Sequence, residues 1–391
     1  MQKKILLIDT NFSAKPIYDY LIKTGSEVYV IGGNQNDALA KSVKNYINLD
    51  YSDIFEVKTF IEKNTIDYLV PGGNDFSYKV CSIINEELCF YNIDSVEINE
   101  IINNKEKFRK VSTELNLHVP RIVETEKIYE SLPIIIKPVD AYSGHGMTVI
   151  YDTNYSSSSI DSAIRLAKKN SKSQNYLIEE FVQGQLYSHS AFIVNGEIIL
   201  DFIVEEHCTV NPYVVDTSRV VFDFDKNILN QIKNDITLLA QKLKFADGLV
   251  HTQFISNGQR FWLIEITRRC PGDLYSKLIE YSTGLPYAEF YARPFLNQRM
   301  DFSNIQINKK LCIRHTISQT NENYFSSLNF KLPICIEEFI PLTVTGDRVK
   351  SSPFSRIGVM FINTSTKREW DDIFQKLLSK QLYEIQCIET N

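Results

Sequence analysis

The stretch Phe261–Tyr275 reads FWLIEITRRCPGDLY. It begins as an apolar run, Phe261 to Ile264, of residues that favour a strand. Glu265 then stands where side chains should stay dry, followed by Thr267, Arg268, Arg269, a Pro-Gly pair and Asp273. Side chains alternate along a strand, so Glu265 and Thr267 share a face while Arg268 points away from Arg269. Buried charge without a partner is destabilising. A cluster this dense therefore calls for something that completes it. Arg268, facing the other way, also admits a plainer reading as the partner of an acid outside the site.

The neighbouring strand pattern, GLVHTQFIS from Gly248 to Ser256, carries Gln253. Gln253, Glu265 and Thr267 would place three oxygen ligands on adjacent strands, a set suited to Mg²⁺ bridging phosphates. The plainer reading is the polar end of an ordinary hairpin. Upstream, LPIIIKPVD (132–140) is an apolar strand ending at Lys137, and the polar stretch after it contains Ser143, Gly144, His145 and Gly146. A strand-end lysine with a flexible glycine loop suits phosphate binding, since backbone N–H groups can close over the oxygens. LIEEFV (177–182) sets Glu179 and Glu180 between apolar residues. Such a segment offers apolar side chains to the faces of an adenine and backbone groups to its edge. The plainer reading is a strand leaving the core.

The order of these features is the informative part: helix lysine, strand lysine, glycine loop, acidic hinge, paired metal strands, arginine. It resembles the ATP-grasp superfamily, of the carbamoyl-phosphate synthetase and amino-acid ligase type, over about residues 100 to 285. The resemblance implies an α/β (α+β) ATP-grasp fold preceded by a parallel-sheet domain. It assigns Lys105 (Lys107 less well) and Lys137 to the nucleotide phosphates. Ser143 to Met147, with Gly144 and Gly146, becomes the phosphate-covering loop. Glu179, Glu180, Phe181 and Val182 become the adenine hinge. Gln253, Glu265 and Thr267 fall on the metal positions, and Arg269 beside the reacting phosphoryl group. Arg269 and Lys137 are the catalytic assignments; ATP and Mg²⁺, with Mn²⁺ as the substitute ion, are the implied cofactors.

The chain departs from the pattern at three places. Gln253 stands where a carboxylate is common, Thr267 where an asparagine is common, and Leu186 where a ribose-contacting carboxylate is usual. Glu265 is then the sole anion expected in the metal set, and Gln253→Glu is expected to be tolerated or to tighten metal binding. The implied activity is ATP-dependent ligation: a carboxylate becomes an acylphosphate and is joined to an amine (or thiol), with ADP and phosphate released. The alternatives are an ATP-binding protein without catalysis, or one acting only as a kinase.

The rest of the chain fits this frame. Before residue 100, KILLID, EVYVIGG and DYLVPGGND alternate with amphipathic stretches at Ile54–Lys63 and Ser77–Leu88. Strands separated by helices imply a parallel sheet with ligand loops at the strand C-terminal ends. The first turn, DTNFSAKPI, lacks a dinucleotide fingerprint. PGGND, Pro71 to Asp75, could contact the carboxylate donor or be a plain turn. Asn195-Gly196 reads as a hairpin turn, and Lys226–Leu243 as a long helix. The expected domains are 1–100 (parallel sheet), 101–300 (grasp, with a lid at about 120–185) and 301–391 (an α/β extension packing on the grasp, with no obvious chemistry).

Composition limits the partners. Lys plus Arg is 42 against 48 for Asp plus Glu, a net charge of −6, which gives no global attraction to nucleic acid or anionic membranes. The opening MQKKILLIDT has too short an apolar run for a signal peptide, and no later stretch is apolar enough to span a bilayer. Seven scattered cysteines without Cys-x-x-Cys read as cytoplasmic thiols. The expected partners are a small-molecule carboxylate and amine, no nucleic acid, no membrane, and a second copy of the chain in a homodimer.

Overall fold

The structure, a computed structural model, describes residues 2–141, 144–151, 157–303 and 305–388. The N-terminal part is a four-stranded parallel sheet of β1 (Lys4–Ile8), β2 (Glu27–Gly32), β3 (Tyr46–Asn48) and β4 (Tyr68–Pro71), in the order β3-β2-β1-β4. Ile5 to Ile8 are fully buried, as a strand covered on both faces requires. Each such aliphatic side chain contributes about 1.5–3 kcal/mol of transfer free energy. The loops after β1 and β4 leave from the C-terminal edge. After β4 the helix Asp75–Leu88 starts two residues earlier than its apolar periodicity begins. Asn74 caps it, its side chain accepting from Ser77 N at 2.8 Å.

The stretch expected as a lid contains a three-stranded sheet of β5 (Ile134–Pro138), β6 (Thr148–Ile150) and β7 (Tyr176–Glu180), in the order β6-β5-β7. The helix Ser157–Lys169 lies against it, with Ile160, Ala163 and Ala167 meeting Ile134, Ile136 and Ile178. Ser143, expected in the phosphate-covering loop, lies outside the described residues.

The remaining strands are β8 (Gln185–Val194), β9 (Glu197–His207), β10 (Thr217–Val221), β11 (Gly248–Ser256), β12 (Phe261–Thr267), β13 (Leu311–Ile317), β14 (Asn323–Phe330), β15 (Cys335–Pro341), β16 (Arg348–Val349), β17 (Gly358–Thr364) and β18 (Tyr383–Ile388). Eight of them form one antiparallel sheet in the order β12-β11-β8-β9-β10-β13-β17-β15. β8 and β9 join through Asn195-Gly196, both at positive φ (52° and 77°), the geometry of a tight hairpin turn. The tail does more than pack on the grasp. β13, β15 and β17 extend its sheet, while β14, β16 and β18 form a small sheet of their own. That continuity carries residues from beyond position 300 to the centre of the molecule.

One core binds the N-terminal sheet to the grasp. Ile8, Val70 and Tyr78 share it with Leu278 and Tyr287, which lie on the helices Tyr275–Thr283 and Tyr287–Ala292 behind β12. This packing fixes the start of the helix Asp75–Leu88 against the end of β12. Among the described residues no helix is long and apolar enough to cross a membrane.

Candidate active site

A cavity of about 590 Å³ opens where the C-terminal edge of the parallel sheet faces the eight-stranded sheet. Lys105, Gln253, Glu265, Thr267 and Arg269 all line it, with Asp75 and Asn11 from the N-terminal sheet. Residues separated by more than 160 positions thus converge, and most stand at strand or helix ends, where side chains can reach a ligand.

At one end, Asn104 caps the helix Lys105–Glu114 by accepting from Lys107 N at 3.1 Å. Lys105 therefore begins that helix, and its Nζ donates to Ala141 O at 2.6 Å. Lys107 turns away to an exposed pair with Glu100 at 2.7 Å. Lys137 is buried behind the cavity wall, its Nζ 2.5 Å from Glu179 Oε2. Arg109 donates to the other oxygen of Glu179 at 2.6 Å and to Ile264 O at 2.9 Å. Burial pushes the Lys137 ammonium down to about 8, with Glu179 opposing and Arg109 reinforcing the shift. Burial raises the Glu179 carboxyl, but Lys137 and Arg109 outweigh it and hold it below the usual carboxylate range.

The Glu179 carboxylate is committed to two buried cations, so this residue can serve a hinge only through its backbone. Glu180 accepts from Arg121 N at 3.0 Å, and Phe181 N donates to Pro133 O at 2.8 Å. Among the described residues the Val182 N–H donates to no protein group. Gly144 and Gly146 sit at φ 70° and 75°. A Cβ on Gly144 would collide with Tyr213 at 2.2 Å, so only glycine permits the loop to meet that segment.

The β11–β12 wall carries the expected metal positions. Gln253 lies directly opposite Glu265, and His251 opposite Thr267. Glu265 is exposed to the cavity and pairs with no cation among the described residues. Gln253 Nε2 donates to Glu206 Oε2 at 2.6 Å, and Thr267 Oγ1 donates to Asp75 Oδ1 at 2.7 Å. Thr267 is thus anchored by Asp75 through its proton, which leaves the oxygen's lone pairs as acceptors. Among the described residues no three His, Cys, Asp or Glu side chains cluster to hold a metal unaided. One free carboxylate beside an amide oxygen fits a cation that keeps water and takes its remaining ligands from phosphates, as Mg²⁺ does.

The third region is cationic. Arg269 donates through Nε and Nη2 to the two oxygens of Asp75, both at 3.0 Å. Burial raises the Asp75 carboxyl, yet the Arg269 charge holds it below its ordinary value. Burial, with Arg269 nearby, pushes His251 down to about 3, so this imidazole is neutral; its Nδ1 meets Ser190 Oγ at 2.8 Å. Two further arginines come from the tail. Arg314, buried on β13, binds Ser218 Oγ and Asp273 O, each at 2.9 Å. Arg356 pairs with Asp273 Oδ1 at 3.1 Å. Asp273 and Leu274 have φ of 55° and 60°, a left-handed pair that costs about 1–3 kcal/mol per residue. The two arginines hold Asp273 there and face the same cavity.

Arg268 is structural. It is buried against Asp94 at 2.7 Å, donates to Leu249 O at 2.6 Å and to Ala246 O, and stacks over Phe245. Sequence reading missed Arg109, Glu206, Arg314 and Arg356. A signal existed for two of them: an arginine inside the apolar run LCIRHTI, and a Glu-Glu pair closing an apolar strand.

Residues 130–277 match the family model described as an ATP-grasp domain. The chain is 23% identical over 203 residues to the carbamoyl phosphate synthase large chain of Clostridium acetobutylicum, covering 49% of this chain and 18% of that one. It is 25% identical over 192 residues to the formate-dependent phosphoribosylglycinamide formyltransferase of Methanocaldococcus jannaschii, covering 46% and 48%. The chain thus spans about half, or less, of the length of these curated relatives. Its fold is similar to the L-amino acid ligase of Bacillus licheniformis (TM-score 0.80, 14% identity, 99% of both chains). It is similar also to the phosphoribosylglycinamide synthetase of Anaerococcus prevotii (TM-score 0.77, 15% identity, 99% of this chain and 100% of that one). The fold is the ATP-grasp fold, with its parallel-sheet N-terminal domain in place.

Proposed function

Since residues 130–277 match the ATP-grasp domain model and the fold is the ATP-grasp fold, we propose that the chain is an ATP-dependent ligase that joins a small-molecule carboxylate to an amine. The observation that carries this reading is the mixed lining of the cavity. An exposed carboxylate, Glu265, lines it together with Gln253 and Lys105, and so do three arginines, Arg269, Arg314 and Arg356. Arginine forks suit carboxylates, which they hold through paired hydrogen bonds.

The substrate carboxylate would be held by Arg314 and Arg356 with one oxygen turned towards the γ-phosphate of ATP. That oxygen attacks phosphorus, the bond to the bridging oxygen breaks, and ADP departs. The amine nitrogen then attacks the acyl carbon, phosphate leaves with the C–O bond electrons, and the amine proton passes to solvent. Lys105 and Lys137 would neutralise nucleotide phosphates, and Arg269 the transferred phosphoryl oxygens. Glu265 and Gln253 would hold Mg²⁺, which when bound screens the phosphate charge. The Val182 N–H would meet the adenine edge. Similarity to an L-amino acid ligase supports amino acids as the first substrates to try. A homodimeric assembly and a cytoplasmic location belong to the same proposal.

The test is an ADP-release screen over carboxylates, each run with and without amines, with the product identified by mass spectrometry. ADP release that requires both substrates and yields an amide is the expected result. ATP binding without release for any pair would overturn it in favour of a non-catalytic nucleotide-binding protein. ADP release yielding a stable phosphorylated product would mean a kinase.

A further inference from the structure

β9 ends in two acids that face opposite sides of the sheet. Glu205 pairs with Arg219 at 2.9 Å and His207 at 2.8 Å. Glu206 turns to the cavity, is only 4% exposed, and takes its hydrogen bond from Gln253. The hydrogen bond runs from Gln253 Nε2 to Glu206 Oε2 at 2.6 Å, so the end of Gln253 that meets the carboxyl is the NH₂ group. The carbonyl oxygen is thereby turned away from Glu206. Register defines the surroundings: Ser188 of β8 is the partner of Gln253 on one side, and Glu265 of β12 on the other. The three side chains Glu206, Gln253 and Glu265 thus alternate acid, amide, acid across β9, β11 and β12, with β8 running between the first two.

The geometry points to Glu206 as a positioning residue. It fixes the amide of Gln253 so that Oε1 is presented on the Glu265 side, to the divalent cation that accompanies the nucleotide, and it bars a carboxylate from position 253. The inference rests on the metal-dependent reading above. It also reverses one expectation from sequence. Gln253→Glu would set a second carboxylate within hydrogen-bond distance of a buried one, a like-charge contact in low dielectric, so it should damage the site. The neutral residue at 253 is thereby explained: the neighbouring carboxylate comes from Glu206, two strands along the sheet.

The experiment measures Mn²⁺ binding to the full chain by EPR in the presence of a non-hydrolysable ATP analogue, with melting curves for each variant. Glu206→Gln is expected to weaken Mn²⁺ binding by about tenfold, the usual scale for losing a group that orients a ligand, with metal-free nucleotide affinity unchanged. Gln253→Glu should weaken it at least as much or lower the melting temperature. The double exchange Glu206→Gln with Gln253→Glu should bind Mn²⁺ more tightly than Gln253→Glu alone. Unchanged Mn²⁺ affinity in Glu206→Gln would overturn the inference. So would a Gln253→Glu protein that melts normally and binds Mn²⁺ better than wild type. If Gln253→Glu fails to fold, its rescue or not by the second exchange decides the matter. A wild type showing this pattern but ligating nothing defeats the proposed function alone. A wild type that binds no Mn²⁺ with the analogue defeats both.

Discussion

Asp75 closes both carboxylate oxygens on the guanidinium of Arg269, at 3.0 Å each, and with one of them also accepts the hydroxyl of Thr267 at 2.7 Å. The two partners lie 194 positions apart. One begins a helix after a strand of the parallel sheet, and the other follows the last strand of the metal wall. The contact therefore ties the two halves of the cavity together through the residue assigned to the transferred phosphoryl group. It also makes Asp75, the last residue of the PGGND loop, the partner of Arg269.

Asp75→Asn should keep the shape and remove the charge. The Asp75 side chain is 44% exposed, so the stability loss is well below that of a fully buried pair, about 1–2 kcal/mol. Denaturant unfolding would measure it. ADP release at saturating ATP should fall by more than ATP affinity, because Arg269 loses its fixed orientation. An unchanged turnover would mean that Arg269 needs no such anchor.

Glu179→Gln should be far more damaging to the fold than Glu180→Gln. Glu179 is the anion shared by Lys137 and Arg109, both buried. Removing it leaves two uncompensated cations and should cost about 3–5 kcal/mol. Glu180 lies 3.9 Å from an exposed Arg121, and its exchange should cost less than about 1 kcal/mol. Equal unfolding midpoints for the two variants would contradict the assignment of Glu179 to the core.

Lys137 yields a pH prediction. Its folded-state value of about 8 lies below the ordinary 10.5, chiefly through burial. Between these values the unfolded chain holds a proton that the folded one lacks, so this group's contribution to stability rises with pH across that window. Bound phosphates would favour the charged ammonium. Nucleotide affinity should therefore fall as pH rises above about 8, with a proton taken up on binding. Calorimetry at pH 9 in two buffers of different ionisation heat would reveal the uptake, and Lys137→Arg should abolish it.

Arg314→Ala and Arg356→Ala should separate the substrates. A charge-assisted hydrogen bond contributes about 1.5–3 kcal/mol, so KM for the carboxylate should rise by roughly 10- to 150-fold. KM for ATP should hold constant. A rise confined to the ATP term would move both arginines to the nucleotide.

Glu265→Gln removes the one free carboxylate of the metal wall. Half-maximal ADP release should then need at least about tenfold more Mg²⁺, and excess chelator should stop the wild type. Activity that survives chelation would exclude a metal-dependent ligase.

Much of this was legible along the chain. The strand alternation in FWLIEIT put Glu265 and Thr267 on one face and set Arg268 apart from Arg269. The Asn195-Gly196 turn, the helix Lys226–Leu243 and the parallel N-terminal sheet followed from local chemistry. These features obey short-range rules: periodicity, caps and turns depend on residues a few positions apart. The order of the nucleotide motifs is also linear information, and it carried the resemblance to the fold.

What a side chain finally touches is not local. Glu179 and Glu180 are neighbours with similar patterns, yet one neutralises two buried cations and the other an exposed backbone. Gln253 looked like a lone neutral substitute until β8 and β9 brought Glu206 to it. Arg314 showed only as an arginine in an apolar run and Arg356 showed no signal, because their place at the cavity depends on β13 and β17 joining the eight-stranded sheet. The sequence alone determined which strands and helices form and what chemistry they carry. The tertiary structure alone decided which charges meet, because a contact across 100 or 200 positions is set by how sheets pack, and charge energies in a dry interior depend on those few ångströms.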